Sequence, residues 1–446
     1  MTQAYPAYKD SGVEWLGEVP EGWGVRALKG PFNIFGGTTP KSDIEGYWDG
    51  NVTWVTPADL SNLPSKFIAG SQRQISESGL SSCGTTLVPA GALVLSIRAP
   101  IGSLAIAAVE LCTNQGCKSL VSRGGAEPGF FYYALLAAKE SLNVLGRGST
   151  FLELSADQLA AFRVPLPPLA EQRAIAAFLD QETAKIDALV AEQRRLIDLL
   201  REKRQAVISH AVTRGLNPTA SLKPSGIDWL GDVPEGWEVC GIKFYCVRIT
   251  DGAHISPDTE NGAFPFVSTK DVSEDGIDFE NCLQTSDTTY RYMVATGCQP
   301  VRCDILFSKD GTIGRTAMVT TDVEFVVASS LIIIRPDQEK CSTDFVNYLC
   351  QSSVVSSQVA SFVKGAGLPR LSISNLLKVI GVFPSREEQV AIASGLDKAT
   401  AKLDTLTATA ETAITLLQER RAALISAAVT GKIDVRDLAE MKTEDA

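Results

Sequence analysis

Along residues 169–213, apolar positions recur at alternating steps of four and three: Ile175, Leu179, Ile186, Leu189, Leu196, Leu200 and Val207. Glu182, Gln193, Lys203 and His210 complete the series. The same phase returns along 387–430 as Ile392, Leu396, Ala399, Leu403, Leu406, Ala410, Ala413, Leu417, Leu424 and Ala427, with Arg420 the one charged member. Both are heptad seams and predict long helices. Pro165, Pro167, Pro168 and Pro384 precede them; Gly215 with Pro218, and Gly431, follow them, as start and stop signals should. At about 1.5 Å per residue each helix would reach roughly 65 Å, more than a compact domain needs, so a spacer packed against its twin is predicted. Glu182, Gln193, Lys203 and Arg420 are read as register devices or interhelical hydrogen bonds, with contact to partner subunits as the alternative.

The stretches before each helix, about 1–165 and 225–383, carry short β-branched and aromatic runs (WVTP, LVLSI, LAIAAV, FPFVS, DILFS, LIIIR) punctuated by Gly and Pro. They predict mixed α/β domains of short strands and irregular loops. One further helix is expected in each, at 130–142 and 344–359.

The chain is a duplication. GVEWLGEVPEGW at 12–23 returns as GIDWLGDVPEGW at 226–237, an offset of 214. Weaker echoes follow: VTPADL (55–60) with VSTKDV (267–272), and SIRAPIG (96–102) with SKDGTIG (308–314). The repeated Trp15, Trp23, Trp229 and Trp237 are read as packing residues.

Composition narrows the class. The 446 residues are 45% hydrophobic and 21% charged, which describes a globular chain of more than one domain. The longest apolar run, 325–334, is about half of what spans a bilayer, and the N-terminus lacks a signal-peptide core, so neither membrane insertion nor secretion is expected. Ten cysteines without a CxxC read as reduced thiols in a cytoplasm. Two histidines leave little room for a metal site or a catalytic triad, and no P-loop occurs. The letters PDQEK at 336–340 lie too close in sequence for a nuclease site on adjacent strands. No catalytic residue, metal or cofactor is expected. The net charge of −11 opposes a protein that coats nucleic acid, because such binding rests on Lys and Arg.

In its paired openings, in GGTTPKSDIEGYWDGNVTWVTPADL (36–60), in TDGAHISP with FPFVSTKDV (250–272), and in the junctions LSADQLAAFRVPLPPLAEQRAIA (154–176) and LSISNLLKVIGVFPSREEQVAIA (371–393), the chain resembles the specificity subunit of type I restriction-modification systems. The second junction departs from the usual PP-x-x-EQ form, with FPSREEQ at 383–389. The resemblance covers nearly the whole length. It implies target-recognition domains at 1–166 and 217–383, long spacer helices at 167–216 and 384–432 forming an antiparallel coiled coil with an internal pseudo-twofold, and an acidic tail at 433–446. It further implies a cytoplasmic, non-catalytic subunit that reads a bipartite, asymmetric double-stranded DNA sequence, one half-site per domain. Partners would be two modification (methyltransferase) subunits and, where present, restriction and translocase subunits. A non-DNA scaffold with two binding modules is the alternative.

The charge then has to be local: −2 over 1–167, +1 over 168–214, −7 over 215–383, 0 over 384–432 and −3 over 433–446. Polar and basic residues on Gly-rich loops are the candidate DNA contacts. They are Thr38, Thr39, Lys41, Arg73, Arg98 and Arg147 in the first half, and His254, Lys270, Lys309, Arg315, Lys364 and Arg370 in the second. For each, a solvated surface residue is the alternative; for His254 it is a structural histidine bonding its own loop.

Overall fold

The computed structural model describes residues 4–61, 63, 65–98, 100–146, 153–258, 262–273, 276–363 and 369–436. The chain forms two compact units, one of 1–193 with 412–446 and one of 194–411, so each long helix is shared between them.

In the first unit, five strands run in the order Phe32–Gly36, Cys117–Ser122, Leu93–Ser96, Leu104–Ala107, Phe67–Ile68; the last pair is parallel and the others antiparallel. Along Leu93–Ser96 successive side chains point to opposite faces, and both faces are covered. Leu93 and Leu95 join the core under the helices, while Val94 joins a second cluster with Val55, Leu60 and Ile68. Coverage on both faces is why LVLSI reads as an unbroken apolar run. A second sheet runs Cys112–Thr113, Trp48–Val55, Gln74–Ile75.

The second unit repeats the plan. Its main sheet runs Cys246–Asp251, Leu331–Pro336, Ile305–Ser308, Thr316–Met318, and its smaller one Leu283–Thr285, Phe264–Val267, Val326–Val327. Here Ile305 and Phe307 face one cluster and Leu306 the other. The opening hairpins correspond in register, Tyr8↔Pro20 with Leu222↔Pro234. The weak echoes prove to be shared turns. Asp59 accepts from the backbone and hydroxyl of Thr56, as Asp271 does from Ser268. Ser96 Oγ donates to Pro100 O and accepts from Ser103 N, as Ser308 does with Thr312 and Arg315.

The two shorter helices each break once. The first spans Pro128–Ala137 and Lys139–Leu145; the second spans Thr343–Gln351 and Ser353–Phe362, where the buried Ser352 hydroxyl caps the new start. Trp23 and Trp237 are core residues, and Trp15 stacks on Phe162 with centroids 5.8 Å apart. Trp229 departs from the packing expectation and is exposed, because the position matching Phe162 is the smaller Val379.

The long helices span Leu169–Arg214 and Arg386–Val429, within a residue of expectation. Ser385, in the departing FPSREEQ junction, accepts from Glu388 N at 3.3 Å and caps the second. In the first unit, Ile175 and Leu179 share a core with Ile425, Ala428 and Val429; in the second, Ile208 and Val212 share one with Ile392 and Leu396. Within each unit the helices therefore run antiparallel. The seam itself departs from a strict heptad. Leu189 (51% exposed) and Leu196 (41%) turn outward, while Val190 (9%) and Ile197 (6%) take the inner positions. The second helix slips likewise, with Leu406 exposed beside a half-buried Thr407. A straight helix at 3.6 residues per turn drifts about 20° per heptad, so the buried stripe advances along a helix this long. The charged seam members shift with it: Lys203 and Arg420 are exposed, and their neighbours Arg204 and Arg421 cross to carboxylates instead. Arg421 makes a bidentate pair with Asp187 at 2.9 and 3.2 Å, and Arg204 meets Asp404 at 3.2 Å. The two pairs are related by an offset of 217 residues, the one that carries Ile175 of the first seam onto Ile392 of the second.

Each sheet domain is fastened to its helix by buried polar groups. Gln172, fully buried, accepts from Glu127 N at 2.8 Å and donates to Pro167 O and Gly125 O at 2.8 and 3.1 Å. Gln389 does the same with Ser342 N and Pro384 O, both at 2.9 Å. Tyr133 OH donates to Asp180 at 2.7 Å and lies 3.1 Å from Thr183 Oγ1. Tyr348 OH donates to Asp397, also at 2.7 Å, and lies 3.4 Å from Thr400 Oγ1. The tail, expected only as an acidic extension from 433, packs within the first unit as far as Val435, which is fully buried, and Tyr8 OH donates to Gly431 O at 3.1 Å.

Candidate nucleic-acid interface

The first strand of each main sheet ends in a turn that only glycine permits. A Cβ on Gly37 would lie 2.1 Å from Thr113 O and 2.2 Å from Asn114 O; one on Gly252 would lie 2.1 Å from both Val327 O and Ala328 O. With the turn backbone fixed there, the residues after it project from the same place in both units: Thr38 and Thr39 in one, Ala253 and His254 in the other.

In the first unit the turn gathers four of the candidate residues. Thr38 N donates to Thr113 O at 3.1 Å, and Thr38 O accepts from Trp54 Nε1 at 3.0 Å. The exposed Thr39 bonds Gln115 Oε1. Trp54 packs edge-on to Trp48, whose Nε1 donates to Lys41 O at 3.1 Å. The Arg73 guanidinium lies 3.7 Å from the Trp48 ring centroid, a cation–π stack on an exposed side chain. Trp48, Trp54 and Gln115 were not singled out in the sequence, because neither tryptophan recurs in the second half.

In the second unit the geometry differs. His254, with 61% of its side chain exposed, places Nε2 3.0 Å from Asp251 Oδ2. The same oxygen accepts from Lys309 Nζ. Burial works to raise the Asp251 carboxyl, and the hydrogen bonds from Lys309 and His254 outweigh it, holding it below the ordinary carboxylate value. Asp251, an acid inside the DGAH turn, does not fit the basic pattern expected of a reader and so was not legible as one in the sequence.

The remaining candidates are placed as follows. Lys309 is only 3% exposed, so its ammonium is engaged inside the unit rather than offered on a loop. Arg315 is half-buried and donates to Val272 O at 3.0 Å, and Lys270 is exposed on the short helical turn Thr269–Asp271. Arg98 pairs with Glu153 at 3.1 Å, and Arg370 with Asp310 at 3.0 Å. These two ion pairs occupy equivalent positions with the signs exchanged: Arg98 matches Asp310 after the shared serine turn, and Glu153 matches Arg370. Arg147 and Lys364 lie outside the described residues.

Among the described residues no cluster of His, Cys, Asp or Glu is arranged to hold a metal ion, and no helix is long and apolar enough to cross a membrane. The arrangement is one of exposed hydrogen-bonding side chains on rigid turns.

Known proteins share this organisation. The chain is 27% identical over 379 residues to the type I restriction enzyme MjaIX specificity subunit of Methanocaldococcus jannaschii, covering 83% of this chain and 84% of that one. It is 24% identical over 342 residues to the EcoBI specificity subunit of Escherichia coli, covering 74% and 71%. In fold it matches a chain solved in a study of assembly and conformational transition of the type I R-M system, with a TM-score of 0.69 at 16% identity, over 92% of this chain and 98% of that one. Residues 20–197 and 234–416 each match the type I restriction modification DNA specificity domain. With two such domains accounting for most of its length, the chain belongs to the family of type I restriction-modification specificity subunits.

Proposed function

We propose that each unit reads one half of a split, asymmetric double-stranded DNA sequence and that the paired long helices fix the unread gap. The observation that carries this reading is a glycine-fixed turn built identically twice and furnished differently, with Thr39 and Gln115 in one copy and His254 and Asp251 in the other. Two copies of one reader in a single chain parallel the paired readers of dimeric repressors, and divergence of their side chains makes the half-sites unlike. Thr38, Thr39, Lys41, Arg73, His254, Lys270 and Arg315 are the proposed base or phosphate contacts, joined by Arg147 and Lys364. Lys309, Arg98 and Arg370 act instead by holding their turns in place.

The subunit docks two copies of a modification subunit, and restriction subunits where the host has them, and carries no chemistry itself. Its charge supports dependence on those partners. With −7 over residues 215–383, the second recognition domain lacks the cationic excess that gives proteins sequence-independent hold on phosphates. In a fluorescence-anisotropy titration at physiological salt, the lone chain is expected to bind its site only weakly. The assembled methyltransferase should bind tightly, with a steep salt dependence. Nanomolar binding by the lone chain would overturn this division of labour.

A further inference from the structure

The Asp251–His254–Lys309 arrangement fixes more than position. A carboxylate can only accept, so the imidazole nitrogen 3.0 Å from Asp251 Oδ2 carries a hydrogen. In the neutral ring the other nitrogen, Nδ1, is then an acceptor. Among the described residues nothing bonds Nδ1, and the ring stands largely in solvent. Lys309 makes the arrangement rigid. Its backbone is held by Ser330 O and Leu371 N, both at 2.9 Å, and its buried ammonium pins the same oxygen.

We propose that His254 is a specificity-determining residue that accepts a hydrogen bond through Nδ1 from an exocyclic amino group in the major groove, adenine N6 or cytosine N4, with Asp251 and Lys309 as positioning residues. The proposal rests on the reading of the second unit as a half-site reader. Adenine and cytosine present amino donors in the major groove, whereas guanine O6 and N7 and thymine O4 are acceptors that would face the Nδ1 lone pair. At the matching position Thr39 carries a hydroxyl whose hydrogen is donated to Gln115 Oε1, so the two turns present chemically different groups at the same place.

Two measurements test it. Methyltransferase assembled with His254→Ala is presented with a DNA library randomised at each base pair of both half-sites, and methylated products are sequenced. The expected result is a loss of discrimination, roughly tenfold, at one base pair of the second half-site, where the unaltered enzyme selects adenine or cytosine on the contacted strand; the first half-site stays unchanged. Uniform weakening at every position would make His254 a phosphate contact, and an unchanged profile would make it a structural residue; either overturns the proposal. If the unaltered assembly shows no second half-site at all, the function proposed above fails instead. The second measurement is independent of activity. Only His210 and His254 occur in the chain, so ¹⁵N-histidine labelling of a His210→Gln variant isolates one imidazole. A protonated Nε2 and bare Nδ1 are expected for the neutral imidazole, with the tautomers mixing in Asp251→Asn. A ring protonated at Nδ1 in the unaltered turn would contradict the proposal.

Discussion

Gln172→Leu should lower the stability of the first unit by about 4 kcal/mol, since each buried group left without its partner costs about 1–3 kcal/mol. The leucine fills similar space but strands Pro167 O, which is buried, and Glu127 N, which is half-buried, while Gly125 O lies on an exposed residue and can turn to water. For a unit of this size each kcal/mol moves the midpoint by about 2–4 °C, so calorimetry should show its transition roughly 10 °C lower. Gln389→Leu should act on the second unit in the same direction and to a similar extent, because both partners lost there, Ser342 N and Pro384 O, are buried. By contrast, breaking the Asp187–Arg421 pair should cost about 0.2–1 kcal/mol, because both side chains are partly solvated. A Gln172→Leu unit that melts within 2 °C of the unaltered one would show that the glutamine is not the fastening it is taken to be.

A matched seven-residue insertion in both long helices, between Gln193 and Arg194 and between Glu411 and Thr412, should widen the unread gap of the DNA site by about three base pairs. Seven residues add about 10.5 Å of helix, and DNA rises about 3.4 Å per base pair. The insertion points lie between the two ion pairs, so Asp187–Arg421 and Arg204–Asp404 are both retained. The cost is the drift already visible in the native seam, about 20° for one more heptad, which the slip from Leu189 to Val190 shows the packing accommodates. An insertion in one helix alone breaks the pairing register and should abolish assembly or methylation. Modification-site mapping that returns the native gap from the doubly lengthened chain would rule out the helices as the ruler.

Much of this architecture was legible in the sequence because it rests on local signals. The duplicated GVEWLGEVPEGW and GIDWLGDVPEGW openings set the offset, and proline and glycine bracketed the long helices to within a residue. The apolar runs marked the main strands because both faces of each sheet are covered. What escaped depends on distance in the chain. A strict heptad placed Leu189, Leu196 and Leu406 inward, and only the accumulated twist of a 3.6-residue helix turns them out. The basic candidates looked alike in sequence, yet Lys309, Arg98 and Arg370 are each neutralised by a carboxylate 55 to 60 residues away, Asp251, Glu153 and Asp310. Their partners become neighbours only once the main sheet and its flanking loops have formed. Arg73 was among the sequence candidates, but its stack on Trp48 was not legible, as Trp48 lies on a strand with no tryptophan in the second half.

The central claim, one unlike half-site per unit with a fixed gap between, is tested most directly by mapping methylated bases across the genome of the host with and without this gene. The account predicts that one motif disappears with the gene, composed of two different short sequences separated by a constant number of unread base pairs. A lost motif that is contiguous or palindromic, or a methylation pattern that does not change, would contradict it.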